Sequence, residues 1–228
     1  MKKIKFLSVL LFLTVSLPSY CQDWDDDDDN WPVVCNYLHI SANTGSEIKL
    51  INSLRNDPSV KLIKGKLNLS LGREATIQYK HLQSVSLGQG SEADFIDCLT
   101  ENNFYLRVSS GSEAKFKKGA DCKVLYIEAG AGSEVKFGGK TTAKTFIIDL
   151  GTGSEVKIMD LQADTLVITG SGIGSELKIN GNVGTLIYCK NYSTEIRGRF
   201  RTKRLIDDGK ECKEAEKQAK EVRKSLRP

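Results

Sequence analysis

Gly111-Ser-Glu-Ala-Lys-Phe116, Gly132-Ser-Glu-Val-Lys-Phe137, Gly153-Ser-Glu-Val-Lys-Ile158 and Gly174-Ser-Glu-Leu-Lys-Ile179 follow one another at a constant interval of 21 residues. Gly-Ser-Glu also occurs at 45–47 and 90–92. Looser copies, Gly72-Arg-Glu74 and Ser193-Thr-Glu195, extend the series to eight. A fixed period near 20 residues marks a solenoid, in which each repeat buries its apolar face against its neighbours.

The pattern inside the period selects the kind of solenoid. After each Glu, apolar and polar residues alternate strictly, as in a strand with one buried face. A second alternating strand precedes each Gly-Ser-Glu, with rows Phe104/Leu106/Val108, Leu125/Ile127/Ala129 and Phe146/Ile148/Leu150 turned inward. No ten-residue run at helical spacing occurs within the repeat, and the leucine-rich pattern is absent. The Gly before each Ser-Glu supplies a turn residue with positive φ. The expected fold is therefore all-β, a right-handed parallel β-helix of about eight coils of about 21 residues. Two intervals deviate. Glu47 to Glu74 is 27 residues, with an inserted loop at Asn52–Pro58, and Glu74 to Glu92 is 18, a tightened coil.

The repeat of strand, Gly-Ser-x and strand at 20–21 residues resembles the head GIN domain family of exported auto-transporter adhesins from Bacteroidetes-type bacteria. The resemblance covers about residues 39–206. The family's repeat is usually Gly-Ser-Gly-Asp before an alternating strand. Here Glu stands in place of the second Gly and the Asp. The resemblance implies an exported β-helix with an adhesin-like role.

Outside the repeat, Lys2, Lys3 and Lys5 precede an apolar run from Phe6 to Leu17, too short for a comfortable bilayer span. Residues 1–21 read as an export signal. Cleavage before Gln22 is favoured over acylation of Cys21, because Tyr20 fills a position that normally holds a small side chain. Without the signal the chain has 30 basic and 29 acidic residues, a balance that gives no support for nucleic-acid binding. The charge is unevenly placed. Residues 22–31 carry six Asp and no base, whereas residues 197–228 carry 12 Lys/Arg against six Asp/Glu. The organisation expected is a signal at 1–21, an acidic linker at 22–34, the β-helix at 35–206 and a C-terminal amphipathic helix at 207–228. Asp208 and Glu211 form a capping box for that helix. Its apolar stripe is Cys212, Ala215, Ala219, Val222 and Leu226.

Candidate functional residues fall in columns. Glu92, Glu113, Glu134, Glu155 and Glu176 stack beside Lys115, Lys136, Lys157 and Lys178, two ladders of opposite sign. This face is solvated and self-neutralised, or else a repetitive surface for a charged polymer. Tyr105, Tyr126, Ile147, Val167 and Ile187 form an outward apolar stripe, and such a patch usually has a partner. The C-terminal helix is expected to dock there, with Cys189 and Cys212 within disulfide distance. Otherwise the helix plugs the last coil and leaves the stripe for an external ligand. Glu128 and Asp149 occupy equivalent positions in neighbouring coils and read as surface residues. No catalytic fingerprint occurs, no CxxC spacing suggests zinc, and the run Asp25–Asp29 lacks the spacing of a calcium loop.

The reading is an exported, non-enzymatic, adhesin-like module of the cell envelope, located in the periplasm, on the cell surface or outside the cell. Its partner would be a protein or polysaccharide of the envelope or a host surface. No cofactor, metal, nucleic acid or transmembrane segment is expected. The alternative is a polysaccharide-binding or polysaccharide-cleaving β-helix. The expected state is a monomer, with head-to-tail stacking through the oppositely charged ends as the competing assembly.

Overall fold

The structure, a computed structural model, describes residues 32–227 apart from 36, 54–62, 171, 189–192 and 208. The expected signal, most of the acidic linker, the inserted loop from residue 54 onward, Cys189 and Asp208 lie outside the described residues. The strands in chain order are β1 (Pro32–Cys35), β2 (Tyr37–Ala42), β3 (Glu47–Ile51), β4 (Ile63–Leu69), β5 (Glu74–Tyr79), β6 (Ser84–Leu87), β7 (Glu92–Phe95) and β8 (Leu99–Val108). They continue with β9 (Glu113–Phe116), β10 (Ala120–Ala129), β11 (Glu134–Leu150), β12 (Glu155–Thr169), β13 (Glu176–Tyr188), β14 (Glu195–Arg197) and β15 (Phe200–Ile206). One helix, α1 (Gly209–Leu226), follows. All described pairings are parallel, and the chain winds into a β-solenoid of about six turns. β1 forms where the acidic linker was expected to end, paired with β5.

Eight coils were expected and about six turns are found. The difference arises at the N-terminal end. β3 pairs with β5 on one side and β7 on the other, and β2 lies between β4 and β6. The β4–β5 unit therefore sits outside β2–β3, against chain order. The 27-residue interval carries the chain outward past β2–β3, and the 18-residue interval brings it back to β6. At the other end β14 is a strand of three residues. Counting Glu residues counts rungs, and it overstates the number of sequential turns.

The core is a set of stacked columns. Ile40, Val85, Leu106, Ile127, Ile148 and Ile168 lie in register, each at most 1% exposed. Phe95, Phe116 and Phe137 stack face to face at 4.1 and 4.3 Å, while Phe104 and Phe146 meet the column edge-on. Offset stacks and edge contacts are the preferred aromatic geometries. The turns explain the conserved tripeptide within the chain. Gly132 and Gly153 have φ of 62° and 64°, a region that an L side chain rarely adopts. The next residue is buried. Ser133, Ser154 and Ser175 donate their hydroxyls to the carbonyls of Gly130, Gly151 and Gly172, each at 2.7 Å. This satisfies the buried hydroxyls and gives each carbonyl a second donor beside the Ser backbone N–H.

Candidate binding surfaces

The Glu column runs in register Glu74–Glu47–Glu92–Glu113–Glu134–Glu155–Glu176–Glu195. Neighbouring strands lie about 4.8 Å apart, a separation at which stacked carboxylates repel. The basic column interleaves them. Lys136 contacts Glu113 at 2.6 Å and Glu134 at 2.8 Å, and Lys157 contacts Glu134 at 2.7 Å and Glu155 at 2.9 Å. Lys178 bridges Glu155 and Glu176, and Arg197 closes the row on Glu176 and Glu195. Asp94, which interrupts the basic column, is held by Lys117 at 2.8 Å. Burial alone would raise the Glu113 and Glu155 carboxyls, but hydrogen bonds from two flanking lysines outweigh it and hold both below the usual value. The same bonds raise Lys136 and Lys157 above theirs. Glu134, Lys136, Glu155 and Lys157 lie on the outer face but only half exposed, because they cover one another.

The apolar stripe is on the outer face as the alternation requires. Tyr105, Tyr126, Ile147, Val167 and Ile187 pair rung to rung. Helix α1 lies along it. Ala215 and Ala219 form one cluster with Tyr105, Tyr126, Ile147 and Val167, and Ile187, Val222 and Leu226 pack at its margin. Tyr105, Tyr126, Ile147 and Val167 are buried, so a ligand reaches them only by displacing the helix. Cys212 is buried and disulfide-bonded, whereas Cys98 and Cys122 are free. Burial pushes the Cys122 thiol up to about 12. Cys189, the expected partner of Cys212, lies outside the described residues.

The end of the helix carries a charge cluster. Arg227 donates to Glu128 at 2.8 and 3.1 Å and to the Tyr105 hydroxyl at 3.0 Å. Arg223 donates to the same carboxylate and lies 3.6 Å from Asp149. Tyr105 donates its hydroxyl to Glu128. Burial raises Glu128, but these donors prevail and its carboxyl sits below the usual range. Asp149 goes the other way, raised by burial and by the neighbouring Glu128 beyond what Arg223 offsets. The sequence reading placed this acidic pair on the open surface. The structure corrects it: the Glu128 side chain is 15% exposed and serves as the anchor of α1. Only residues about 95 positions later in the chain complete the site, and no local pattern announces them.

A third face is uncovered by the helix. Asp121, Thr142, Gln162 and Asn182 form a column of hydrogen-bonding side chains there, whereas Thr145, Thr165 and Thr185 share the outward face of the stripe that α1 covers. Asn182 donates to Gln162 at 3.3 Å. Two shallow pockets, of about 310 and 340 Å³, flank the solenoid, one between Lys157, Met159, Lys178 and Arg197 and one beside Glu128 and Asp149. Among the described residues no helix is long and apolar enough to cross a membrane.

Residues 36–182, more than half of the chain, match the family described as "Putative auto-transporter adhesin, head GIN domain". The chain belongs to this family. No curated protein and no solved structure matches it. The head GIN match ends within β13, so β14, β15 and α1 lie beyond it. The helix-covered stripe thus joins strands inside the matched region to an element outside it.

Proposed function

We propose that the chain is an exported, non-enzymatic, adhesin-like module that binds a repeating polymer of the envelope or a host surface. The carrying observation is the uncovered polar column Asp121–Thr142–Gln162–Asn182. It offers carboxylate, hydroxyl and amide groups at a rise of about 4.8 Å along a rigid rod. The Glu and Lys ladders suit this role less, since each Lys is already shared by two carboxylates. The head GIN membership supports the adhesin-like character. A cleaving enzyme needs carboxylates accessible to its substrate, and Glu128 is instead bound by two arginines and a tyrosine.

Binding of the purified chain to an array of bacterial and host polysaccharides, and to intact cells, tests the reading. The expected result is saturable binding that a Thr142→Lys/Gln162→Lys variant weakens by about tenfold, because long charged chains replace the hydroxyl and amide groups. Binding to no glycan and no cell surface would defeat the adhesin-like reading. Undiminished binding by the variant would move the contact to another face.

A further inference from the structure

Among the described residues, the solenoid ends on an uncapped, strongly basic edge. β14 and β15 form its last rung, paired on one side only, with β13. Residues 197–206 hold Arg197, Arg199, Arg201, Lys203 and Arg204 and no acid. Arg197 and Arg204 are tied to Glu195 and Glu211, whereas Arg201 and Lys203 have no ion-pair partner among the described residues. Leu205 continues the core column of Leu186 and is 54% exposed. Helix α1 does not cover this end, because it lies along the side against β8, β12 and β13. A terminal rung with open backbone groups and an exposed core residue is a template for another chain. Its positive charge disfavours a second edge of the same kind and selects an acidic segment.

This chain carries such a segment. Residues 22–31 hold Asp23 and Asp25–Asp29 with no base, flanked by Trp24 and Trp31. They lead directly into β1, which lies at the opposite end of the stack. The distance decides whose edge they can meet. From β1 to β14 the sheet order β1-β5-β3-β7-β9-β11-β12-β13-β14 takes eight steps, about 38 Å at about 4.8 Å each. Asp25 is seven residues from Pro32 and reaches at most about 25 Å fully extended, and Asp23 reaches about 32 Å. Even with side-chain lengths added, the run Asp25–Asp29 falls short of its own basic edge.

We infer that the basic terminal edge of one copy binds the acidic segment 22–31 of a second copy. The contact joins unlike surfaces and does not close on itself, so it generates open head-to-tail chains. It is ionic and partly exposed, so it weakens as salt shortens the screening length. The inference is independent of the polymer-binding face.

Sedimentation velocity of the chain beginning at Gln22 tests it. At about 20 mM salt the average mass should rise with concentration, and at about 500 mM it should fall to that of a monomer. Deleting 22–31, or introducing Arg201→Glu/Lys203→Glu, should each leave a monomer at low salt. Mixed together, these two variants each retain one half of the contact. They should form a 1:1 complex that grows no further. Several results would overturn the inference: a monomer at low salt throughout, association that survives the deletion, or a mixture that does not pair. Binding of a heparin probe to the edge without self-association would also overturn it, assigning the edge to an external polyanion. Circular dichroism identical to that of the parent chain confirms that each variant is folded.

Discussion

Ile148 shows how little latitude an interior position has. It is fully buried between Ile127 and Ile168, with coils stacked above and below. Ile148→Asp places an unpaired charge there, which costs several kcal/mol and is expected to abolish soluble folded protein, as read by circular dichroism and yield. The ladder residues behave differently. One Glu–Lys contact at a half-exposed site contributes about 0.2–1 kcal/mol, so Glu134→Gln should lower the melting temperature slightly and less so in high salt. The ladder and the Glu128 anchor of α1 together set the pH range. Glu113, Glu155 and Glu128 titrate below the usual Glu value of 4.5 in the folded state. Their contribution is complete above 4.5 and is lost as pH falls through the folded values. Lys136 and Lys178 titrate above 10.5, so their contribution is complete below that pH and fades as pH rises through the folded values. Asp149, raised in the folded state, acts in the opposite sense and favours folding slightly as pH falls. The expected outcome is a broad stability plateau with an acid limb below about 4.5, measured by thermal melts across pH.

At the scale of the element, α1 is held by small apolar residues along its length and by arginines at its end. Cys212, Ala215 and Ala219 are its buried residues, a narrow contact for a helix of 18 residues. Hydrogen bonds to charged groups contribute about 1.5–3 kcal/mol each, so Arg223 and Arg227 matter more to docking than their partial exposure suggests. An Arg223→Ala/Arg227→Ala variant should keep the solenoid folded while α1 amides lose most of their protection in hydrogen exchange. Retained protection would show that apolar packing alone holds the helix. The covalent part has its own measurement. Non-reducing peptide mapping is expected to return Cys212 joined to Cys189. Cys98 should alkylate in the native state and Cys122 only on unfolding, because Cys122 is buried and its thiol is pushed up to about 12.

For the molecule as a whole, the solenoid separates three sides with different chemistry. One is ionically zipped, one is sealed by α1, and one presents the Asp121–Thr142–Gln162–Asn182 column. Among the described residues both ends are rungs rather than closed caps, and the flanking sequences carry opposite charge. Solenoids of this kind normally need capping elements to stay monomeric. The helix that the sequence offers for such a role is used on the side instead, leaving Leu205 and its basic neighbours open. A chain lengthened by a polar capping rung after Ile206 should therefore lose the low-salt association while retaining any polymer binding.

The sequence by itself determined the parallel solenoid, the inward and outward faces of residues 99–188, the span of α1 and the stripe on which α1 lies. These features rest on period 2 and period 3.6, which are local, and on a repeat that places equivalent residues on neighbouring rungs. Ile147, Val167 and Ile187 line up because the register shifts by one residue in these coils, between Phe137 and Lys140 and between Ile158 and Leu161, which turns a 21-residue interval into 20. Only the tertiary structure decided the order of the first rungs. Periodicity states which face a strand buries and not which of two open edges it joins, and β4–β5 joined the outer edge of β2–β3. Only the tertiary structure assigned Glu128 its role as well. Its partners Arg223 and Arg227 come from an element with a different period, and their side chains meet it only after the helix has folded back across β8, β12 and β13.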